Sequence, residues 1–213
     1  MKIALIGASG FVGTAVLQEA LDREHQVTGI VRNTQKLPQH AALTAVAGDV
    51  YDADALAELI AGHDAVIHAF NPGWDNADIR ALFIQGTEAI YAATKQAGVK
   101  RLLVVGGAGS LYVAPDLQLI DTPNFPAAYK DGAEGARQAL NLLKGETSLD
   151  WSFISPPAHL HPGERTGQFR IGADQLLMKG DEPAGISVAD LAVAIIDELE
   201  RPTHIQRRFT VGY

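Results

Sequence analysis

The sequence contains no cysteine and carries few positive charges. With no cysteine among 213 residues, disulfide scaffolds, thiolate metal sites and iron–sulfur centres are excluded, and a reducing compartment fits. Only 17 lysines and arginines oppose 25 aspartates and glutamates, so the formal net charge is −8. Because most of such a surface repels a phosphate polyanion, we expect binding neither to nucleic acid nor to anionic membranes.

Long apolar runs are also absent. No segment approaches the ~18 uninterrupted apolar residues that a membrane helix needs. Lys2 leads into a short apolar stretch that stops at Gly7, which is not the pattern of a signal peptide, so we expect a cytoplasmic protein. Repeats and linker-like runs are missing. We therefore expect one domain over residues 1–213, as a monomer or weak homodimer.

Short apolar runs alternate with stretches of helical spacing, which is the pattern of successive βαβ units. The runs are nearly continuous rather than alternating, as in parallel strands that are covered on both faces. The sequence therefore predicts an α/β fold: a doubly wound, mostly parallel Rossmann sheet with helices on both faces and a small C-terminal cap. The predicted strands are Lys2–Ile6, Gln26–Val31, Leu43–Ala47, Ala65–Ala69, Arg101–Val105, Trp151–Ile154 and Arg207–Val211.

Helical periodicity predicts helices over 11–21, 53–60, 75–97 and 126–144, the last one weakened by Gly132 and Gly135. A further helix follows Ser187, where Ser187 and Asp190 have the spacing of a capping box in which each side chain bonds the other's backbone. Residues 155–185, rich in glycine and proline, are predicted to be loops that cap the substrate site.

A glycine-rich turn joins the first strand to the first helix: Gly7-Ala8-Ser9-Gly10-Phe11-Val12-Gly13. Gly7 permits a sharp turn, Gly10 lets a pyrophosphate approach the backbone, and Gly13 lets the helix pack closely. Amides at a helix N-terminus favour an anion through their partial positive charge. The motif therefore predicts a dinucleotide site, although the glycines alone would also make a tight turn.

The end of the second strand normally selects the dinucleotide, because an acidic residue there binds the ribose 2′-hydroxyl of NAD. This chain has Val31-Arg32-Asn33 instead. A guanidinium suits the 2′-phosphate of NADP, so we expect NADP(H) to be preferred. NAD(H) also fits if Arg32 lies across the adenine, and a solvated loop cation is the remaining interpretation.

Further cofactor contacts are expected where other strands end, because ligands of open α/β sheets bind at the carboxyl edge. Asp49 would accept a hydrogen bond from adenine, or would serve a local turn. Small residues at this edge leave room for the ribose and nicotinamide, although they also make turns. The candidates are Asp49, Val50, Ala69, Phe70, Asn71, Gly106, Gly107 and Pro157.

Several segments together resemble the atypical short-chain dehydrogenase/reductase group, in particular its NmrA-like and biliverdin-reductase-B-like members. Besides the glycine-rich turn, the resemblance rests on Gly48-Asp49-Val50, Val105-Gly106-Gly107-Ala108-Gly109-Ser110 and Leu149-Asp150-Trp151-Ser152-Phe153-Ile154-Ser155-Pro156. The C-terminal stretches 163–167 and 209–213 are similar to bacterial NADH-flavin reductase-like members. The resemblance covers nearly the whole chain and implies an NAD(P)-binding Rossmann protein, while it leaves the substrate open.

The chain departs from the better-known members of this group, which use a Tyr-x-x-x-Lys pair for acid/base catalysis. Tyr129 is the candidate tyrosine, but Ala133 stands four residues later. Lys130 lies on another helix face and does not replace the missing lysine. A conjugated acceptor needs less from the protein, because hydride transfer depends chiefly on stacking against the nicotinamide.

Three side chains are candidate catalytic residues. The resemblance places Ser110 near an active-site serine and His159 near a histidine of the biliverdin-reductase-B-like proteins, and Tyr129 would donate a hydrogen bond. Turn, loop and packing roles remain open for all three. His159 and His161 form a His-x-His pair, but no cysteine or carboxylate cluster accompanies it, so no metal is expected.

The sequence thus favours an NAD(P)H-dependent oxidoreductase that passes hydride to a small conjugated acceptor such as a flavin or quinone. One alternative is an NmrA-like redox sensor that binds dinucleotide without turnover. A second is a sugar-nucleotide epimerase or dehydratase, which the short stretch after the last predicted core strand and the missing lysine disfavour. The expected partner is a small-molecule substrate.

Overall fold

Buried strands alternate with helices throughout residues 1–213, which the computed structural model describes in full. The helices are α1 (Phe11–Asp22), α2 (Ala53–Ile60), α3 (Ile79–Gln96), α4 (Ala127–Lys144) and α5 (Val188–Glu200). The strands are β1 (Lys2–Ile6), β2 (Gln26–Val31), β3 (Leu43–Ala47), β4 (Ala65–His68), β5 (Arg101–Val105), β6 (Tyr112–Ala114), β7 (Leu117–Gln118), β8 (Asp150–Ser155), β9 (His159–His161), β10 (Arg170–Gly172), β11 (Met178–Lys179), β12 (Glu182–Pro183), β13 (Gly185–Ser187) and β14 (Arg207–Gly212).

Eight strands form the central sheet in the order β10-β14-β8-β5-β4-β1-β2-β3. All neighbours are parallel except β10, which runs antiparallel to β14. The chain starts at β1, winds outward through β2 and β3, and then returns to β4 on the other side of β1. The doubly wound, mostly parallel Rossmann sheet is therefore confirmed, and its direction of winding reverses between β1 and β4.

The sheet is covered by helices on both faces because its strands are apolar on both sides. Ile3 and Leu5 belong to the core that contains α1 and α5. Ala4 and Ile6 belong to the opposite core, with α2, α3 and α4. None of the helices is both long and apolar enough to cross a membrane.

Helix α3 begins later than its apolar spacing predicts, at Ile79 rather than near residue 75. The Asn71 side chain accepts the Gly73 N–H at 2.8 Å, and the Asn76 side chain accepts the Asp78 N–H at 3.0 Å. These local bonds compete with the helical ones and keep residues 71–78 as a loop above the carboxyl end of β4.

The prediction that residues 155–185 contain only loops is wrong. Strand β10 in this stretch pairs with β14, with Arg170 opposite Gly212. Strands β9 and β13 pair in parallel, and β11 and β12 form a short hairpin. An uncovered edge of β14 would leave backbone donors and acceptors unpaired, and β10 satisfies them.

The predicted capping box before α5 is only half formed. The Ser187 hydroxyl accepts the Asp190 N–H at 3.0 Å, as expected, but the Asp190 carboxylate does not return to the Ser187 backbone. It accepts the Thr166 hydroxyl at 2.5 Å, the N–H groups of Thr166 and Gly167 at 2.8 and 2.7 Å, and the Tyr213 hydroxyl at 2.7 Å. Burial acts to raise the pKa of Asp190, but these hydrogen bonds outweigh it and lower the pKa. Asp190 thus anchors the cap instead of closing a helix end.

The two glycines of α4 allow close packing. A Cβ at Gly135 would lie 3.0 Å from the Cβ of Phe83 on α3, and a Cβ at Gly132 would lie 2.5 Å from Cζ3 of Trp74. The helix predicted there is confirmed over Ala127–Lys144, because tertiary contact outweighs the low helix propensity of glycine.

Candidate active site

The turn between β1 and α1 is built around its glycines. Gly7 has a φ of +85°, and a Cβ there would lie 2.5 Å from the carbonyl oxygen of Ala69. A Cβ at Gly13 would lie 2.0 Å from the carbonyl oxygen of Gly7, so only glycine lets α1 pack this closely on the turn. Gly10 differs from both, because its nearest contact for a Cβ is the Gly7 oxygen at 3.3 Å.

The N-terminus of α1 has free hydrogen-bond donors. Gly10 is the N-cap, no side chain caps the helix, and no acidic residue lies in its first turn. The first backbone bond at this end runs from the Thr14 N–H to the Gly10 oxygen, which leaves the N–H groups of Phe11, Val12 and Gly13 without a partner in the chain. A pyrophosphate fits this cradle, because the donors and the helix dipole favour an anion and Gly10 presents no Cβ.

The loop after β4 is fixed against this turn by a buried histidine. Nδ1 of His68 accepts the Phe70 N–H at 3.3 Å, and Nε2 lies 3.1 Å from the Thr87 hydroxyl. Burial lowers the pKa of His68 to about 4, so the ring is neutral at physiological pH. The Phe70 ring packs against α3, where a Cβ at Gly86 would lie 2.5 Å from it. Of the predicted candidates here, Ala69 and Phe70 thus border the glycine turn through their backbones.

The carboxyl ends of β2 and β3 bring three polar side chains together. Arg32 is exposed and makes no hydrogen bond or ion pair within the chain. The Asp49 carboxylate accepts the Tyr51 N–H at 3.0 Å, so Asp49 has the local turn role that its sequence position allowed. Burial and the Asp49 charge raise the pKa of Tyr51, and Arg32 opposes them. Arg32 is therefore the available cation at this end of the crevice.

On the other side of β4, the turn after β5 lies beneath a buried arginine. Ser110 is 2% exposed, and its hydroxyl accepts a hydrogen bond from Nη1 of Arg208 at 3.1 Å. The same Nη1 donates to the Ser110 carbonyl at 2.9 Å, and Nε of Arg208 donates to Asp174 at 2.7 Å. No short sequence pattern signals this contact, because Arg208 and Ser110 are 98 residues apart.

The first turn of α4 faces the same region. Tyr129 and Ala133 are one helical turn apart on one face. A Cβ at Gly109 would lie 3.0 Å from the Cβ of Ala133, so this face contacts the turn that carries Ser110. Tyr129 is 53% exposed and its hydroxyl has no partner in the chain. Ala133 stands four residues after Tyr129, so this face of α4 carries no lysine one turn after the tyrosine.

The remaining candidates lie where the cap begins. Pro157 is buried two residues after the end of β8, and His159 is exposed on β9 without a side-chain hydrogen bond. Ser155, at the carboxyl end of β8, is fully buried and its hydroxyl has no partner. No hydrogen bond joins Ser110, Tyr129 and His159, so the three predicted catalytic side chains do not form a triad.

The cap is tied to α1 by an ion pair. Nε and Nη2 of Arg165 donate to the two carboxylate oxygens of Glu19 at 2.7 and 2.8 Å. The Arg165 hydrogen bond is the main cause that lowers the pKa of Glu19, although burial opposes it. A bidentate pair of this kind fixes orientation. Together with the Asp190 contacts it holds residues 165–167 against the two helices on this face of the sheet.

Trp74 was not among the sequence candidates. It lies in the loop after β4, is 54% exposed, and contacts the Tyr129 ring edge to face with centroids 5.4 Å apart. A tryptophan directly after Asn71-Pro72-Gly73 at the carboxyl edge of a parallel sheet was the available signal.

Comparisons with known proteins agree with this geometry. Residues 7–200 match the model of a protein family described as NAD(P)H-binding. YwnB of Bacillus subtilis (strain 168) is 42% identical over 216 residues, which cover 99% of this chain and 98% of YwnB.

The solved structures that are similar over the full length of this chain include two with different descriptions. One, from Bacteroides thetaiotaomicron and provisionally described as an epimerase, has 45% sequence identity and a TM-score of 0.92, with 96% of that chain covered. The other, from Streptococcus pneumoniae TIGR4 and provisionally described as an NADH-flavin reductase, has 34% identity and a TM-score of 0.86, with 99% covered.

Proposed function

The chain belongs to the NAD(P)H-binding Rossmann family, and from that premise we propose that it is an NAD(P)H-dependent reductase of small conjugated acceptors such as flavins or quinones. The observation that carries the proposal is the N-terminus of α1, which no side chain caps. Its free N–H groups are open to a ligand because the N-cap residue, Gly10, has no Cβ. The adjoining acceptor side has exposed aromatic rings, and Ala133 stands four residues after its tyrosine in place of a lysine.

The cofactor would be held by residues on both sides of the point between β1 and β4 where the winding of the sheet reverses. Amides of residues 11–13 would bind the pyrophosphate, and the backbone of Ala69 and Phe70 would border the ribose. We further propose that NADP(H) is preferred, because Arg32 is the unpaired cation at the end of β2 while Asp49 is engaged by the Tyr51 N–H. A guanidinium recognises a 2′-phosphate by charge-assisted hydrogen bonds.

The reaction would be a hydride transfer. The reduced nicotinamide supplies a hydride, which carries two electrons, and the acceptor takes one further proton from water, so NAD(P)H + H⁺ + acceptor gives NAD(P)⁺ + reduced acceptor. Tyr129 would donate a hydrogen bond from its hydroxyl, and the exposure of its side chain supports this role. Without a lysine at position 133, the chain offers little acid/base catalysis, which suits an acceptor that delocalises the incoming charge.

The similar structures support different details of this proposal. The Streptococcus pneumoniae protein carries a flavin-reductase description and the Bacteroides thetaiotaomicron protein an epimerase description. The resemblance implies that an epimerase of this group would use the tyrosine and lysine pair. Because position 133 is Ala133, packed against Gly109, we favour reduction of a conjugated acceptor.

A second candidate is a redox sensor that binds both cofactor forms without turnover. The observation that favours it is the absence of hydrogen bonds among Ser110, Tyr129 and His159. In this case binding of the dinucleotide would be read by a partner rather than followed by hydride transfer.

Oxidation of NADPH and NADH, followed at ~340 nm where reduced nicotinamide absorbs, separates the two candidates. The acceptors are riboflavin, FMN, menadione and dichlorophenolindophenol, each measured with and without protein. We expect turnover above the uncatalysed background with at least one planar acceptor, and only a small change in kcat for Tyr129→Phe. Tight binding of both NADPH and NADP⁺ with no turnover on any acceptor would contradict the reductase and support the sensor.

A further inference from the structure

Two large aromatic side chains stand exposed together at the carboxyl edge of the sheet. Trp74 and Tyr129 are 54% and 53% exposed, and their ring planes meet at 87°. Most large aromatic surface in a soluble protein is buried, so an exposed contacting pair at a ligand-binding edge points to a binding surface. The pair lies outside the residues expected to hold the dinucleotide.

The loop that carries Trp74 is ordered by its own hydrogen bonds. The Asn71 side chain accepts the Gly73 N–H, and Gly73 adopts a φ of +112°, which glycine tolerates. The Asn76 side chain accepts the Asp78 N–H just before α3. Trp74 therefore projects from a defined turn, which lowers the entropy lost when a ligand binds against it.

Helix α4 has a gap that receives the indole. A Cβ at Gly132 would lie 2.5 Å from Cζ3 and 3.1 Å from Cη2 of Trp74. The outer edge of the six-membered ring thus rests against the helix at Gly132, while more than half of the side chain stays exposed. A glycine in the interior of a helix is unfavourable by itself, so close approach of the indole, together with Cδ1 of Ile79 at 3.1 Å, is the structural reason for it here.

The pair is connected to both halves of the candidate active site. Trp74 is in the loop after β4, five residues after Ala69, whose carbonyl oxygen lies against Gly7 of the dinucleotide turn. Tyr129 is one helical turn before Ala133, which contacts Gly109 beside Ser110. An acceptor bound on this pair would therefore lie at the edge of the sheet where the cofactor is expected.

We propose that Trp74 and Tyr129 form the acceptor platform and that this platform selects planar, conjugated rings. The acceptor ring stacks on the exposed face of the indole, and the Tyr129 hydroxyl donates to a polar atom at its rim. The inference rests on the proposed reductase function, because only a reductase would use the bound ring as a hydride acceptor. Its test does not depend on that function, because binding of a planar probe is measured without cofactor.

The first test is riboflavin binding by titration calorimetry and by riboflavin emission, which contact with an indole quenches. We expect Trp74→Leu to weaken binding about tenfold and to restore much of the emission of the bound flavin. Trp74→Phe should lose about threefold, because a smaller aromatic ring remains. Trp151→Phe is the control for quenching, since Trp151 is 4% exposed and cannot stack on a ligand.

A second variant separates the platform from folding. Gly132→Ala raises helix propensity but pushes the indole away, so we expect an unchanged or higher melting temperature together with riboflavin binding at least fivefold weaker. Leu142→Ala, at an exposed position near the other end of α4, is the control. It should leave the melting temperature unchanged and change the affinity for riboflavin by less than twofold.

The outcomes distinguish this platform from the reductase function. Riboflavin binding and emission that stay within twofold of wild type in Trp74→Leu and Gly132→Ala would overturn the platform, as would wild-type protein that binds no planar probe. Wild-type protein that binds riboflavin through Trp74 but oxidises no NADPH would leave the platform in place and contradict the reductase.

Discussion

Gly10 and Gly13 belong to the same turn, but we expect a side chain at Gly13 to lower stability and a side chain at Gly10 to weaken cofactor binding. A Cβ at Gly13 would lie 2.0 Å from the Gly7 carbonyl oxygen, whereas ordinary contact begins at 3.4 Å, so α1 would have to retreat by about 1.4 Å. Overpacking of this kind costs about 1–3 kcal/mol, and the higher helix propensity of alanine returns up to about 1 kcal/mol. We expect Gly13→Ala to lose about 1–2 kcal/mol of unfolding free energy.

Gly10→Ala should affect binding instead of stability. Gly10 has φ −79° and ψ 174°, which alanine adopts freely, and its nearest neighbour for a Cβ is 3.3 Å away. The stability loss should stay below about 1 kcal/mol, the scale of a changed N-cap. The new methyl group would hold the phosphates away from the amides of α1, and each charge-assisted hydrogen bond lost costs about 1.5–3 kcal/mol, so NADPH binding should weaken at least tenfold.

The assay combines urea unfolding with titration calorimetry of NADPH on the same preparations. Gly145→Ala is the matched control, because a Cβ there meets nothing within 4 Å and the position is remote from the turn. If Gly10→Ala bound NADPH as tightly as Gly145→Ala, the pyrophosphate would not lie on this turn and the reasoning would be refuted. A Gly13→Ala variant as stable as wild type would refute the packing argument alone.

Two other side chains give separate predictions. Arg32→Ala should weaken NADP(H) binding by about 1–3 kcal/mol and leave NAD(H) binding nearly unchanged, because only the 2′-phosphate loses a partner; equal losses for both cofactors in calorimetry would defeat the assignment. Burial lowers the pKa of His68 from 6.5 to about 4. The neutral His68 side chain therefore contributes fully to the free energy of unfolding above pH 6.5, and this contribution falls by up to about 3 kcal/mol as the pH drops to 4. His68→Gln can keep the contacts to Phe70 and Thr87 and does not titrate, so urea unfolding at pH 7 and pH 4.5 should show a smaller loss than wild type; identical losses would contradict a neutral buried His68.

The central strands and the dinucleotide turn could be predicted because their determinants are local. A continuous apolar run such as Leu102–Val105 needs cover on both faces wherever it lies, and the glycines of the turn act on atoms within a few residues of one another. Local hydrogen bonding also explains the largest error in a helix boundary, since the Asn76 side chain holds residues 76–78 in a loop, within the stretch that apolar spacing alone assigned to α3.

The features that could not be predicted depend on contacts between distant parts of the chain. Asp190 has the spacing of a capping box, but its carboxylate accepts hydrogen bonds from the Thr166 and Tyr213 hydroxyls instead. Strand β10 is recognisable only once β14 presents an open edge. The Trp74–Tyr129 pair joins a loop to the first turn of α4, 55 positions apart in the sequence, and neither residue indicates the other by pattern.

The central claim is that the free amides at the start of α1 bind the pyrophosphate of a nicotinamide dinucleotide. Titration calorimetry of the folded wild-type protein with NADPH and NADH, repeated with Gly10→Ala, tests it most directly. The account predicts saturable binding of at least one cofactor that is at least tenfold weaker in the variant. Wild-type protein that binds neither cofactor at millimolar concentration, or equal affinity in both proteins, would contradict it.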